Sequence, residues 1–309
     1  MRVVVTGAAG FVGSHLSERL LAAGHEVVGI DAFTRFYPRE LKEANVAELT
    51  RAPGFSLREH NLLAGELEPL LRGVDAVCHL AGRPGVRTDS SALLKAGNVT
   101  TTDRVLRRAA AAGVRRVLLS SSSSVYGRAG GPVREDAPLR PLSQYGRSKQ
   151  RAEEVAGGLA AQLGVELVTL RLFTVYGPRQ RPDMAFARYL ESALSGLPMP
   201  LLGDGGQRRD FTYVGDAADA AVAALEGARA GSVLNVAGGR PTALAEALEL
   251  LAGELGAAAP LQRRAADARE PRHTAADLSR IEAELGWRPS VSLEEGLAAQ
   301  AERALRAAA

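Results

Sequence analysis

Arg2-Val3-Val4-Val5-Thr6-Gly7-Ala8-Ala9-Gly10-Phe11-Val12-Gly13-Ser14-His15-Leu16 opens with a β-branched apolar run, continues with three glycines at intervals of three, and ends in helical apolar spacing. The run predicts a strand over Arg2–Thr6, and Leu16, Leu20 and Leu21 continue the helix. Gly7 permits a tight turn, Gly10 lets a diphosphate approach the backbone, and Gly13 lets the helix pack closely on the strand. The first helical turn then offers free N–H groups and a positive dipole end to an anion. A second apolar run, Glu26–Ile30, leads into Asp31, eighteen residues beyond Gly13. A carboxylate at that point accepts hydrogen bonds from both ribose hydroxyls and repels a 2′-phosphate, which favours NAD over NADP.

Further strands are expected at Phe55–Arg58, Ala76–Leu80, Val114–Ser120 and Glu166–Arg171, separated by segments with helical apolar spacing. Near-continuous apolar strands alternating with helices imply an α/β fold, a Rossmann-type doubly wound parallel sheet. Beyond residue 172 the pattern loosens into Gly/Pro-rich connections such as GPRQRPD, then returns around Tyr213–Leu225 and Val233–Val236. The expected division is residues 1–172 for the NAD-binding domain, with a return segment at 211–237. A smaller C-terminal substrate-binding lobe would take most of 173–309. No internal repeat is visible.

The bulk properties restrict the function class. Apolar content of 46% and charged content of 24% suit a soluble globular enzyme or binding protein. The net charge of +3 is spread along the chain, so no nucleic-acid partner is expected. No window reaches transmembrane length and the N-terminus lacks a signal peptide's apolar segment, so a cytoplasmic location with no membrane partner is expected. The one cysteine, Cys78, sits in an apolar run and reads as a buried structural thiol. The five histidines show no ligand spacing, and no metal site is expected. Only Lys42, Lys95 and Lys149 are lysines among 38 basic residues. A lysine in such an Arg-rich chain can mark a place where Arg would not serve.

Tyr145 and Lys149, in Tyr-Gly-Arg-Ser-Lys, open a predicted helix, and their spacing places both on one face. A phenol is ordinarily a poor base at neutral pH, and a neighbouring ammonium or an oxidised nicotinamide favours the phenolate. Upstream lie five consecutive serines, Ser120 to Ser124, directly before Val125-Tyr126-Gly127. By composition alone such a run is a flexible linker; the alternative is a set of hydroxyls facing a substrate.

The combination of GAAGFVG, SSSSVYG, YGRSK, RLFTVYGP and RRDFTYVGD resembles the extended short-chain dehydrogenase/reductase family, in particular its nucleotide-sugar epimerases and dehydratases. The likeness runs over essentially the whole chain. Within the family, FYPRELKEAN (residues 36–45) and FTVYGPRQRPDM (residues 173–184) are most similar to the UDP-glucuronate 4-epimerases. The resemblance implies NAD as cofactor, held by Gly7, Gly10, Phe11, Val12, Gly13, Asp31, Leu80, Ala81, Tyr145 and Lys149. It also implies a cycle in which Tyr145 removes the 4-hydroxyl proton of a UDP-sugar, helped by Ser122, and the 4-keto sugar turns over and is reduced on its other face. Asn61 and Leu62 stand where relatives usually carry Asp-Leu at the adenine. Asn98 is expected to anchor backbone near the nicotinamide, with a purely structural role also open.

The branches of the family differ just before Val125. The 4,6-dehydratases carry an acidic pair at the places of Ser123 and Ser124, and UDP-glucuronate decarboxylases commonly carry glutamate at the place of Ser124. Neither carboxylate is present. Oxidising C4 of a uronic acid creates a β-keto acid that loses CO2 when its carboxylate aligns with the carbonyl π system. Ser123, Ser124 and Thr174 can hold the carboxylate out of alignment by charge-assisted hydrogen bonds. Thr174 stands where most relatives have Asn. Ser120 and Ser121 are expected only to support the strand end.

Arg181 and Arg209 resemble the family's nucleotide and diphosphate contacts, where a planar guanidinium suits phosphate oxygens. Arg179 and Arg208 are their competing neighbours. Arg87 is expected near the sugar, in substrate binding or loop support. Near the C-terminus Asp267 occupies the usual place of an arginine, so Arg269 or Arg264 is expected to substitute. Helices predicted at Leu93–Ala112 and Tyr145–Leu163 resemble those that pair relatives into homodimers. The reading is a UDP-hexuronate 4-epimerase (UDP-glucuronate to UDP-galacturonate), with a UDP-glucose/UDP-galactose 4-epimerase or a UDP-glucuronate decarboxylase as alternatives.

Overall fold

The structure, a computed structural model, describes residues 1–85, 90–128, 130–267 and 269–308. In chain order its strands are β1 (Arg2–Thr6), β2 (Glu26–Asp31), β3 (Phe55–Glu59), β4 (Ala76–His79), β5 (Arg116–Ser122) and β6 (Glu166–Leu172). They are followed by β7 (Thr174–Tyr176), β8 (Met199–Leu202), β9 (Arg208–Tyr213), β10 (Val233–Val236), β11 (Pro241–Ala243) and β12 (Leu261–Arg264). Seven of them form one parallel sheet in the order β10-β6-β5-β4-β1-β2-β3. The order reverses at β1, between β2 and β4. In a doubly wound sheet that reversal opens a crevice at the C-terminal strand ends.

Alternation along β1 sends Val3 and Val5 to one face and Val4 to the other. The first face is covered by helices Phe11–Ala22 and Val214–Gly227, through Leu16, Leu20, Ala220 and Leu225. The second packs Val77, Val117 and Leu119 under Val105, Leu106 and Leu159 of helices Thr101–Ala111 and Gln144–Leu163. A sheet buried on both faces is why its strands read as unbroken apolar runs. Cys78 is among the fully buried residues, and burial pushes its thiol up to about 12.

Three local departures from expectation bear on the site. The fifth strand starts two residues later than expected and runs to Ser122, so three of the five serines are strand, paired with Leu170, Arg171 and Leu172. Val114 instead closes the preceding helix, its N–H donating to the Ala109 carbonyl. The helix expected over Leu93–Ala112 is divided into Ser91–Leu94, a wide π-helical turn at Lys95–Thr100, and Thr101–Ala111. The helix expected from Tyr145 begins at Gln144, because Ser143 caps it by accepting the Gly146 N–H at 3.0 Å.

After β6 the chain leaves the sheet. β7, β9 and β11 form a three-stranded sheet and β8 pairs with β12. Helices Ala185–Ser195, Leu244–Leu255 and Leu293–Ala308 close a separate core around Tyr176, Phe186, Tyr189, Leu248, Leu251 and Leu297. β10 returns to the edge of the main sheet beside β6.

Candidate active site

A cavity of about 910 Å3 follows the C-terminal ends of β1, β2, β4 and β5 and continues under β7, β8 and β9. At its β1 end Gly7 adopts φ +74°, and the Gly10 N–H donates to the Gly7 carbonyl at 3.0 Å. A Cβ added to Gly13 would stand 2.1 Å from that carbonyl oxygen, so the helix lies directly on the turn. Gly10 caps the helix with no side chain of its own, leaving the amides of the first turn to an anion. Phe11 and Val12, at that turn, line the cavity with Leu80 and Ala81 opposite.

The Asp31 carboxylate accepts the amides of Ala9 at 3.2 Å and Phe33 at 2.8 Å, which pins it beside the glycine turn. Lys42, unassigned in the sequence reading, is buried with Nζ 3.9 Å from Asp31 Oδ1 and donates to the Thr34 carbonyl at 3.1 Å. Burial pushes its amine down from the ordinary lysine value, and Asp31 opposes that shift. Its rarity as one of three lysines is the one sequence signal that could have found it, and it did not set Lys42 apart from Lys95. Asn61 Oδ1 accepts the Leu63 amide at 3.0 Å, and Asn61 and Leu62 both line the cavity. A side-chain-free anion cradle next to a fixed carboxylate fits the diphosphate and ribose of NAD.

Farther along, Tyr145 and Lys149 border the same cavity. Lys149 is buried and its Nζ donates to the Ser120 carbonyl at 2.9 Å. Behind it, His79 shares a hydrogen bond with Thr6 Oγ1 at 2.8 Å. Burial, reinforced by the Lys149 charge, pushes its imidazole down to about 3, so it adds no second cation. The π-helical turn brings Asn98 inward. Its Oδ1 accepts the Arg83 N–H at 2.7 Å, and its Nδ2 donates to the Arg83 carbonyl at 3.0 Å and Ser148 Oγ at 2.8 Å. The loop after β4 is thereby anchored at the point where Gly82 lies against Asn98 and Lys149.

Ser122, Ser123, Ser124 and Thr174 also line the cavity. Ser122 Oγ accepts the Ser124 N–H and donates to Ser124 Oγ, each at 3.2 Å, so it caps the short turn after β5 while facing the cavity. Ser120 and Ser121 border it as well, although Ser121 directs its hydroxyl to Glu153. Thr174 enters from β7, two residues beyond the end of β6.

The arginines separate. Arg209 is mostly buried on the wall, 3.3 Å from Glu270, and Arg181 lines the cavity with Asp183 at 2.9 Å. Arg188, which the sequence reading missed, joins them from helix Ala185–Ser195. Arg179 turns away at φ +65° to pair with Glu18 and to donate to Ser14 Oγ at 3.2 Å. Arg208 bonds the Pro241 carbonyl at 2.6 Å. Arg269 pairs with Asp267 at 2.8 Å and Arg264 with Gln262 at 2.8 Å, and neither borders the cavity. Arg87 lies outside the described residues. Among the described residues no group of three His, Cys, Asp or Glu side chains is placed to hold a metal ion, and no helix is long and apolar enough to cross a membrane.

Residues 3–237 match the model of the NAD dependent epimerase/dehydratase family. The chain is 39% identical over 302 residues to the uncharacterised UDP-glucose epimerase YtcB of Bacillus subtilis (strain 168), covering 96% of each protein. It is 33% identical to the UDP-glucuronate 4-epimerase of Thermodesulfobacterium geofontis (strain OPF15), over 95% of this chain and 93% of that one. Among solved structures, the UDP-glucuronic acid 4-epimerase of Bacillus cereus, in complex with UDP-glucuronic acid and NAD, superposes with a TM-score of 0.95 at 37% identity. That match covers 99% of this chain and 100% of the other.

Proposed function

The chain belongs to the NAD dependent epimerase/dehydratase family, and from that premise we infer that it interconverts UDP-glucuronate and UDP-galacturonate through a 4-keto sugar. When bound, NAD accepts hydride from the sugar C4 and returns it to the opposite face. Gly7, Gly10 and Gly13 with the amides of Phe11 and Val12 hold its diphosphate, and Asp31, with Lys42 beside it, takes the ribose hydroxyls. Tyr145 removes the 4-hydroxyl proton, Ser122 hydrogen-bonds the same oxygen, and Lys149, one helical turn beyond the tyrosine, supplies a positive charge to the site. On return the same tyrosine donates the proton to the new alkoxide, so no net redox change occurs.

One observation carries the choice of reaction: the wall formed by Ser122 to Ser124 and Thr174 presents hydroxyls and no carboxylate. Decarboxylation of the keto acid breaks C5–C6, moves that electron pair into the C4 carbonyl as an enolate, releases CO2 and later adds a proton at C5. Hydroxyl donors that pin the carboxylate crosswise to the carbonyl π system oppose it, and no acid on this turn helps it. Arg181, Arg188 and Arg209 face the UDP diphosphate. Residues 1–172 with the return segment 211–237 then serve the cofactor, and the remainder serves the sugar nucleotide. A cytoplasmic homodimer, joined through helices Thr101–Ala111 and Gln144–Leu163, completes the reading.

Incubation with UDP-glucuronate, followed by NMR, tests this. The expected product is UDP-galacturonate with only a small fraction of CO2. UDP-pentose as the main product would make the enzyme a decarboxylase. Turnover of UDP-glucose alone, the second reading favoured by the name of the Bacillus subtilis relative, would remove the acid-specific claim. With Thr174→Ala, a larger CO2 fraction is expected, and an unchanged one would count against the restraint.

A further inference from the structure

Behind the serine turn lies a buried polar cluster that none of these steps uses. Glu153 stands one turn beyond Lys149, so Tyr145, Lys149 and Glu153 form one stripe along helix Gln144–Leu163. Its carboxylate accepts the Ser121 hydroxyl and two prongs of Arg171, Nε at 3.1 Å and Nη2 at 2.8 Å. The two charged side chains are only 6% and 11% exposed. Arg171 lies in β6, three residues before Thr174, and also donates to Tyr126 Oη at 2.9 Å and to the Glu135 carbonyl at 2.8 Å. Tyr126 Oη in turn donates to Asn235 Oδ1 at 2.7 Å, tying in β10.

A buried ion pair is weak evidence for stability, because desolvation offsets most of its attraction. What this pair provides is geometry. Ser120 and Ser121 are keyed to the helix in succession, the first through Lys149 and the second through Glu153, immediately before Ser122. Arg171 carries the same constraint to β6, which leads through Phe173 into Thr174. We propose that Glu153, together with Arg171, is a positioning residue that sets the spacing between the Tyr145–Lys149 stripe and the hydroxyl wall, so that the keto acid is reduced before it loses CO2. The inference rests on the uronate reading above.

The test is the partition of product between UDP-hexuronate and UDP-pentose plus CO2, measured with NAD content as a check on the fold. A purely structural role would lower the active fraction and leave the partition per turnover unchanged. Ser121→Ala removes one hydrogen bond and should raise the CO2 fraction about threefold. Glu153→Met combined with Arg171→Met removes the pair without stranding a charge. It should lower kcat about tenfold or more and raise the CO2 fraction further, with NAD retained. A wild-type partition in either folded, NAD-bearing variant overturns the proposal, and Ser121→Ala decides alone if the double variant does not fold. Should the wild type turn over UDP-glucose and ignore UDP-glucuronate, the substrate reading falls by itself. The proposal is then scored by NADH stranded per turnover, and unaltered stranding in Ser121→Ala overturns it.

Discussion

Beside Tyr145, Gly146 lets the helix touch the serine turn: a Cβ added there would lie 2.4 Å from the Ser124 carbonyl oxygen. Real Cβ atoms do not come that close to backbone, so Gly146→Ala must push the helix and the turn apart. A displacement of this kind should lower kcat about tenfold or more while NAD stays bound, as steady-state assays and nicotinamide absorbance will show. Tyr145→Phe should remove about 100-fold or more of turnover and also leave NAD bound; near-normal rates would refute its role as base. The sequence exposed the Tyr/Lys pair because its spacing is chemical. The resemblance favoured Arg181 over Arg179, but residue type gave no physical ground for the choice in one Arg-rich loop. A left-handed backbone at Arg179 and the carboxylate of Glu18 decide that difference, and both depend on tertiary contact.

At the scale of elements, β9 shows how a motif can hold structure rather than ligand. Asp210, in RRDFTYVGD, is fully buried and accepts the amides of Gly239 at 2.8 Å and Ala276 at 3.0 Å. Burial pushes its carboxyl up from the ordinary value, and those amides oppose the shift. Asp210→Asn would turn a donor toward one of two donors, and urea unfolding should register a loss of about 1–3 kcal/mol. The parallel sheet was legible because strands buried on both faces leave continuous apolar runs. The π-helical turn at Lys95–Thr100 was not, since the phase shift it makes can be seen only against a regular pattern on both sides, and the helix before it is four residues long. β12 was equally silent: Leu261 to Arg264 are all exposed, so the segment carries no burial pattern to read.

Across the whole molecule, the loop after β7 is fastened to the helix that starts at the glycine turn. Arg179 reaches Glu18, and His15 Nε2 donates to the Pro178 carbonyl at 3.0 Å. Burial first, then the Arg179 charge, pushes His15 down to about 4. The imidazole therefore stays neutral in the fold while the unfolded chain takes up protons below about pH 6.5. Stability from this site is complete above that value and is lost as pH falls toward 4. The full span is on the order of 3 kcal/mol. His15→Gln should flatten the decline in urea-unfolding free energy between about pH 6.5 and 4.5, and an unchanged slope would deny the histidine this part. The return of β10 to β6 has a consequence for any attempt to shorten the protein. A chain cut after Leu172 would bare the outer hydrogen-bonding groups of β6, which β10 now occupies, and invite edge-to-edge pairing of copies. A shortened version that retains Val233–Val236 is therefore expected to stay in solution better than one that ends at Leu172.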